Sequence, residues 1–168
     1  AIDGKIVAGV VFDPVARNLF SADLGGAHLN GVTLDAKAFP DEHKATLIAS
    51  FPSARHVKLY GQQALDGQVE LLNAFLSMRN LGSAALNLAS VAAGWADATM
   101  GFKASPWDVA AGQLIVEQAG GHYLGLLDGA LTEPAFLAPD YMALGRGVSY
   151  PTLDRVVKNL SRAAAKAA

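Results

Sequence analysis

Cysteine is absent from the 168 residues, which excludes a disulfide framework, a thiolate metal site and a cysteine nucleophile. A reducing setting suits such a chain, and a cytoplasmic location is expected. Charge is sparse and nearly balanced. Thirteen Lys and Arg stand against 15 Asp and Glu, and the pI is ≈ 6.1. That balance offers no electrostatic grip on a phosphate backbone or an anionic membrane, so neither nucleic acid nor membrane is expected as a partner. Apolar runs are broken by Gly, Asn or Asp well short of the roughly 18 residues that a membrane-spanning helix needs. Signal-peptide patterns, repeats and low-complexity tracts are missing too. What is present is a hydrophobic chain (52% apolar, mean hydropathy +0.27), enough for one well-buried core and short for two. The chain begins at Ala1 in strand-like sequence, which reads as a piece of something longer or a processed product.

The segment "DGKIVAGVVFDPVARNLFSADLGGAHLNGVTL" alternates short apolar runs with turn residues. It predicts strands near 5–12, 18–23, 26–29 and 32–34 in an antiparallel meander. From residue 45 onward strands and helices alternate. Strands are expected at 45–50, 77–82, 96–102 and at 141–147, with a hairpin about Asp128-Gly129. Helices are expected at 54–75, where Gly61 and Gly67 weaken the pattern, at 83–93, at 106–119 and at 151–166. The order implies a layered α/β architecture with the meander as a second sheet. Residues 1–168 are expected to form a single incomplete domain, the meander at 1–40 and the α/β part at 41–168.

Two helix starts invite chemistry. In "SPWDVAAGQLIVEQAGG" (105–121), Ser105 suits the N-cap, Pro106 the first helical position, and Asp108 falls at N3. An acid there complements the helix dipole, and helix chemistry alone accounts for it. In "RNLGSAALNLASVAAG" (79–94), Gly82, Ser83 and Ala84 open a helix with small residues. Either their backbone amides face an anion or polyol, or Ser83 is an N-cap before Ala-rich packing. Asn87 is expected to be a polar group satisfied between helices. The other candidates are weaker. His28, His43, His56 and His122 have no ligand spacing, Asp97 and Asp128 look like turn residues, and 41–44 and 155–166 look like solvated faces. Nucleophile-elbow, P-loop and dinucleotide fingerprints do not occur. The residues by themselves thus stop at two helix mouths and one acid.

The string "PWDVAAGQLIVEQAGG" resembles the second signature of the inositol monophosphatase family, W-D-x-x-A-G-x-x-I/L-x-x-x-A-G-G. "GVVFDPVARNLFSADLGGAHLNG" and "RNLGSAALNLASVAAGWADA" are similar to its strand pair and its R-x-x-G-S-A-A helix. The resemblance implies an αβαβα sandwich, here without its N-terminal third. It also implies a Mg²⁺-dependent phosphomonoesterase that is often homodimeric. Asp108 would be the catalytic carboxylate, binding metal and substrate hydroxyls, and Gly82, Ser83 and Ala84 would touch substrate. The family's upstream Glu and D-P-x-D-G-T metal cluster have no match in this chain, since Asp13-Pro14 is a turn. The expected partners are therefore a small phosphomonoester and either a second copy or a missing N-terminal segment. Inositol-type members also carry a substrate-binding Glu where this chain has Gly101, which turns the expected substrate toward other sugar or polyol phosphates. A 3′-phosphoadenosine-type nucleotide phosphatase and a non-catalytic binding or assembly module are the alternatives. Alone, residues 1–168 are expected to be inactive.

Overall fold

The computed structural model describes the backbone of residues 1–166 and side chains through Ala163. Strands β1 (Ala8–Asp13), β2 (Asn18–Asp23), β3 (Gly26–Leu29) and β4 (Val32–Thr33) form the antiparallel meander in chain order. Turn chemistry fixes it. Asp13 Oδ1 accepts the amides of Val15 and Ala16, and Asn30 and Gly31 take the left-handed backbone that a tight hairpin requires. Period-two patterning then gives the sheet two unlike faces. Val11 and Phe20 point inward and are buried, whereas Val10 (60% exposed), Phe12 (56%) and Leu19 (43%) lie on the outer face.

The second sheet has six strands: β5 (Thr46–Ile48), β6 (Ser77–Arg79), β7 (Ala98–Gly101), β8 (His122–Leu127), β9 (Ala130–Leu131) and β10 (Asp140–Leu144). Their order is β6-β5-β7-β10-β8-β9, parallel among β6, β5 and β7 and antiparallel thereafter. One face carries α1 (Ala54–Tyr60), α2 (Gln62–Ala74) and α5 (Pro151–Lys166), packed through Leu71, Leu153, Val156 and Leu160. The other carries α3 (Ala84–Ala92) and α4 (Pro106–Gln118), whose Leu88, Val91, Val109 and Ile115 form one core with the inner face of the meander. The layers run αβαβ, the expected sandwich less one outer helical layer.

Three expectations need correction. The single helix at 54–75 is two helices, because Gly61 adopts φ +56°, ψ −133°, ending α1 and starting α2. Asp97 is buried, and its two oxygens accept the amides of Phe39 (2.7 Å) and Thr46 (2.6 Å), stitching two segments together rather than serving a local turn. Glu42, expected on a solvated face, accepts the Thr152 amide at 2.9 Å and so caps the start of α5. The other charged face behaves as expected where it is described: Arg155 is exposed and pairs with Glu70 at 2.8 Å, while the side chain of Lys166 lies outside the described residues.

Candidate active site

The start of α4 is set by Ser105 at the N-cap and Pro106 behind it, although the Ser105 hydroxyl makes no capping bond; the Asp108 amide bonds the Ser105 carbonyl instead. Asp108 is exposed, and no hydrogen bond or salt bridge among the described residues engages its carboxylate. Trp107, beside Asp108, is 83% exposed. It sits on the first turn, facing away from the sheet, where an apolar residue has no neighbour to bury against.

The start of α3 is built differently. The Ser83 hydroxyl accepts the Leu86 amide (3.3 Å), while Asn80 Oδ1 accepts the Gly82 amide (2.9 Å) and the Ser50 hydroxyl (2.9 Å). The Gly82 amide is therefore already used, and of the two readings of this helix start the Ser83 N-cap is the one present. Asn87, one turn in, is buried, and its Oδ1 has no hydrogen-bond partner. The expectation of a satisfied interface amide fails, and an orphaned acceptor of this kind calls for a donor from elsewhere.

Both helix mouths open onto one cleft of about 200 Å³. Gly82, Ala84 and Asn87 line it from α3, Asp108 from α4, Gly101 to Ala104 from the end of β7, Tyr141 from β10, and Ser50, Phe51 and His56 from the β5–α1 side. Ser83 is not among the lining residues, its side chain being turned into the cap. The cleft is small beside the roughly 300–1,000 Å³ of drug-sized pockets, so it suits a small polar ligand.

His56, dismissed on spacing, belongs to this cleft. Its Nδ1 accepts the Ser53 amide at 3.0 Å, which leaves the proton of the neutral ring on Nε2. Burial, then the adjacent Arg55, hold its pKa below the usual histidine value, with Asp140 acting weakly the other way. The ring packs among Phe51, Tyr60 and Phe102. The Ser53–His56 spacing at a helix start was the available signal. Tyr141 was also missed. Its hydroxyl is pushed up to about 12, mainly by burial, and its ring stacks on Tyr123 with centroids 5.2 Å apart.

A divalent metal fits these residues only in part. Asp108 offers a free hard oxygen of the type Mg²⁺ prefers. Among the described residues, however, no group of three or more His, Cys, Asp or Glu comes together to hold a metal ion. A larger groove of about 380 Å³ lies between α2 and α5, but the Glu70 carboxylate on its wall is already paired with Arg155. Among the described residues no helix is long and apolar enough to cross a membrane.

Comparison with known proteins agrees with the geometry. Nus factor SuhB of Escherichia coli (strain K12) is 40% identical over 121 residues, 71% of this chain and 45% of that protein. The chain thus spans less than half the length of this curated relative. The inositol monophosphatase of Anabaena (Nostoc) sp. PCC 7120 superposes with a TM-score of 0.76 at 27% identity, over 99% of this chain and 63% of its own. Staphylococcal SaIMPase-II with inositol monophosphate bound gives a TM-score of 0.76 at 25% identity, over 99% of this chain and 63% of its own. The inositol monophosphatase family pattern matches residues 1–163, and the chain belongs to the inositol monophosphatase family.

Proposed function

We propose that the protein to which this chain belongs is a cytoplasmic, Mg²⁺-dependent phosphomonoesterase acting on an inositol phosphate or a related sugar or polyol phosphate. One observation carries the reading: an unpaired carboxylate, Asp108, shares a small cleft with the opening of a second helix. Asp108 is the metal- and substrate-binding residue on this reading, with Gly82, Ser83 and Ala84 on the substrate side. Ser83 acts there through its cap, which holds the start of α3 in place. Asn87 Oδ1 takes a substrate hydroxyl, the donor it lacks. Bound Mg²⁺ would neutralise phosphate charge and supply a nucleophilic water. Asp108 alone does not outcompete the hydration shell of that ion, so further ligands belong to the whole protein, and residues 1–168 by themselves are expected to be inactive. A 3′-phosphoadenosine-type specificity is less well supported, because α3 opens Gly82-Ser83-Ala84-Ala85 without the Ser and Lys of that branch.

The test is phosphate release by the full-length protein and its Asp108→Asn variant. The amide keeps the shape at N3 but loses the charge, so turnover is expected to fall by orders of magnitude with the fold intact. Turnover near wild type at saturating Mg²⁺ would remove Asp108 from the chemistry. A second reading, a binding or assembly role, draws on one observation: the curated relatives are named as a Nus factor. Wild-type protein that releases no phosphate from any polyol phosphomonoester would favour it.

A further inference from the structure

The wall of the cleft between β7 and α4 has an unusual makeup. Gly101 contributes no side chain, and the Tyr141 ring covers its backbone. Two residues on, Lys103 takes a left-handed backbone, φ +52°, which side chains other than Gly, Asn and Asp seldom adopt. That conformation is held in place because the Lys103 amide donates to Oδ1 of Asp140 at 3.0 Å, and Asp140 is 1% exposed. A buried carboxylate thus fixes the backbone in a conformation that glycine would adopt without strain, and the residue that stands there is a lysine. Lys103 is exposed, lines the cleft, and has no salt-bridge partner among the described residues. Among the described residues it is the one cation on the cleft wall, and Asp108 is the one carboxylate. His56, whose ring packs against Phe102, also lines the cleft and is fixed through Nδ1, so its remaining nitrogen is a hydrogen-bond donor rather than an acceptor.

We propose that Lys103 is a specificity residue, and that the cleft prefers phosphomonoesters bearing a second anionic group, a carboxylate or another phosphate, near the ester. The preference rests on the phosphomonoesterase reading above but concerns recognition rather than hydrolysis. Lys103 supplies a cation and the neutral His56 a donor, while the neighbouring Asp140 carboxylate is buried and already engaged by the Lys103 amide. A neutral polyol phosphate leaves Lys103 with only water to bind.

The test uses the full-length protein with Mg²⁺ and two probes of the same carbon skeleton: 3-phosphoglycerate, and glycerol 3-phosphate, which has a hydroxymethyl group in place of the carboxylate. Dissociation constants come from calorimetry, and KM from phosphate release. Wild-type protein is expected to favour 3-phosphoglycerate by about tenfold or more, the effect of one charge-assisted hydrogen bond. Lys103→Asn keeps a residue that tolerates the left-handed backbone and removes the charge, so the preference is expected to vanish; Lys103→Arg is expected to retain it. Equal binding of both probes, a preference that survives Lys103→Asn, or failure to bind either probe would overturn the proposal. If neither ester is hydrolysed but the binding preference and its loss in Lys103→Asn persist, the phosphomonoesterase reading falls and the role of Lys103 stands.

Discussion

The ring of Tyr141 lies so close over the backbone of Gly101 that a Cβ there would fall 2.8 Å from its Cζ and 3.0 Å from its hydroxyl oxygen. Tyr141 is 1% exposed and stacked on Tyr123, so displacing it costs packing. Gly101→Ala is therefore expected to destabilise the fold by about 1–3 kcal/mol, the cost of overpacking. In the Tyr141→Leu background most of that loss is expected to disappear, a coupling of about 0.5–3 kcal/mol in a double-mutant cycle by urea unfolding. Additive effects would contradict the packing.

Asp97 is the second place where one side chain carries long-range structure. Asp97→Ala strands the amides of Phe39 and Thr46 without acceptors and is expected to cost about 2–4 kcal/mol. A drop in urea midpoint at unchanged m-value is the signature, since the unfolded surface is the same. A loss within about 0.5 kcal/mol, as for an ordinary surface site, would mean that water replaces the carboxylate there.

His56 gives a pH-dependent expectation. Its folded pKa lies below 6.5, chiefly through burial, so the unfolded chain binds the proton more readily. Its contribution to stability is complete above the unfolded value and is lost as pH falls through the folded one. Proton NMR titration is expected to place the His56 midpoint below 6.5. The thermal stability of wild type relative to His56→Gln is expected to decline as pH drops through that midpoint. A midpoint at or above 6.5 would contradict the burial argument.

On the outer face of the meander, Phe12 and Leu19 sit directly opposite each other, with Val10 one step along the strand. An exposed apolar pair on a sheet face favours association. Residues 1–168 alone are expected to show concentration-dependent sedimentation, relieved by combining Phe12→Thr with Leu19→Lys. Monomeric behaviour of the unaltered chain at all concentrations would exclude self-association through this face.

Elements with local causes were legible in the sequence. Asn30-Gly31, Asp128-Gly129, Ser83 and Pro106 mark turns and helix starts within a residue or two of where the structure has them. The features that were misread or went unread depend on partners far along the chain. Glu42 meets Thr152 and Asp97 meets Phe39 against expectation, and Asp140 meets Lys103 where nothing was expected, pairings that no local pattern announces. Asn87 was misread because whether a buried amide finds a partner depends on the neighbouring helix. For Asp108 and the residues at the start of α3, sequence resemblance pointed to a role, and composition alone did not.

Helix α4 is held with almost no clearance. On one side Gly9 of β1 leaves so little room that an added Cβ would sit 2.9 Å from Ala111 Cα, and on the other Gly112 meets Leu88 of α3 at 2.6 Å by the same measure. Ala111 and Gly112 lie about one turn beyond Asp108. The two glycines thus act as a tight bearing around the helix, and any bulk added to either tilts or lifts the end that carries the carboxylate. On the phosphomonoesterase reading, where an offset of about 1 Å is enough to cost about a hundredfold in rate, the tolerance of this site is decided at residues 9 and 112, outside the cleft itself.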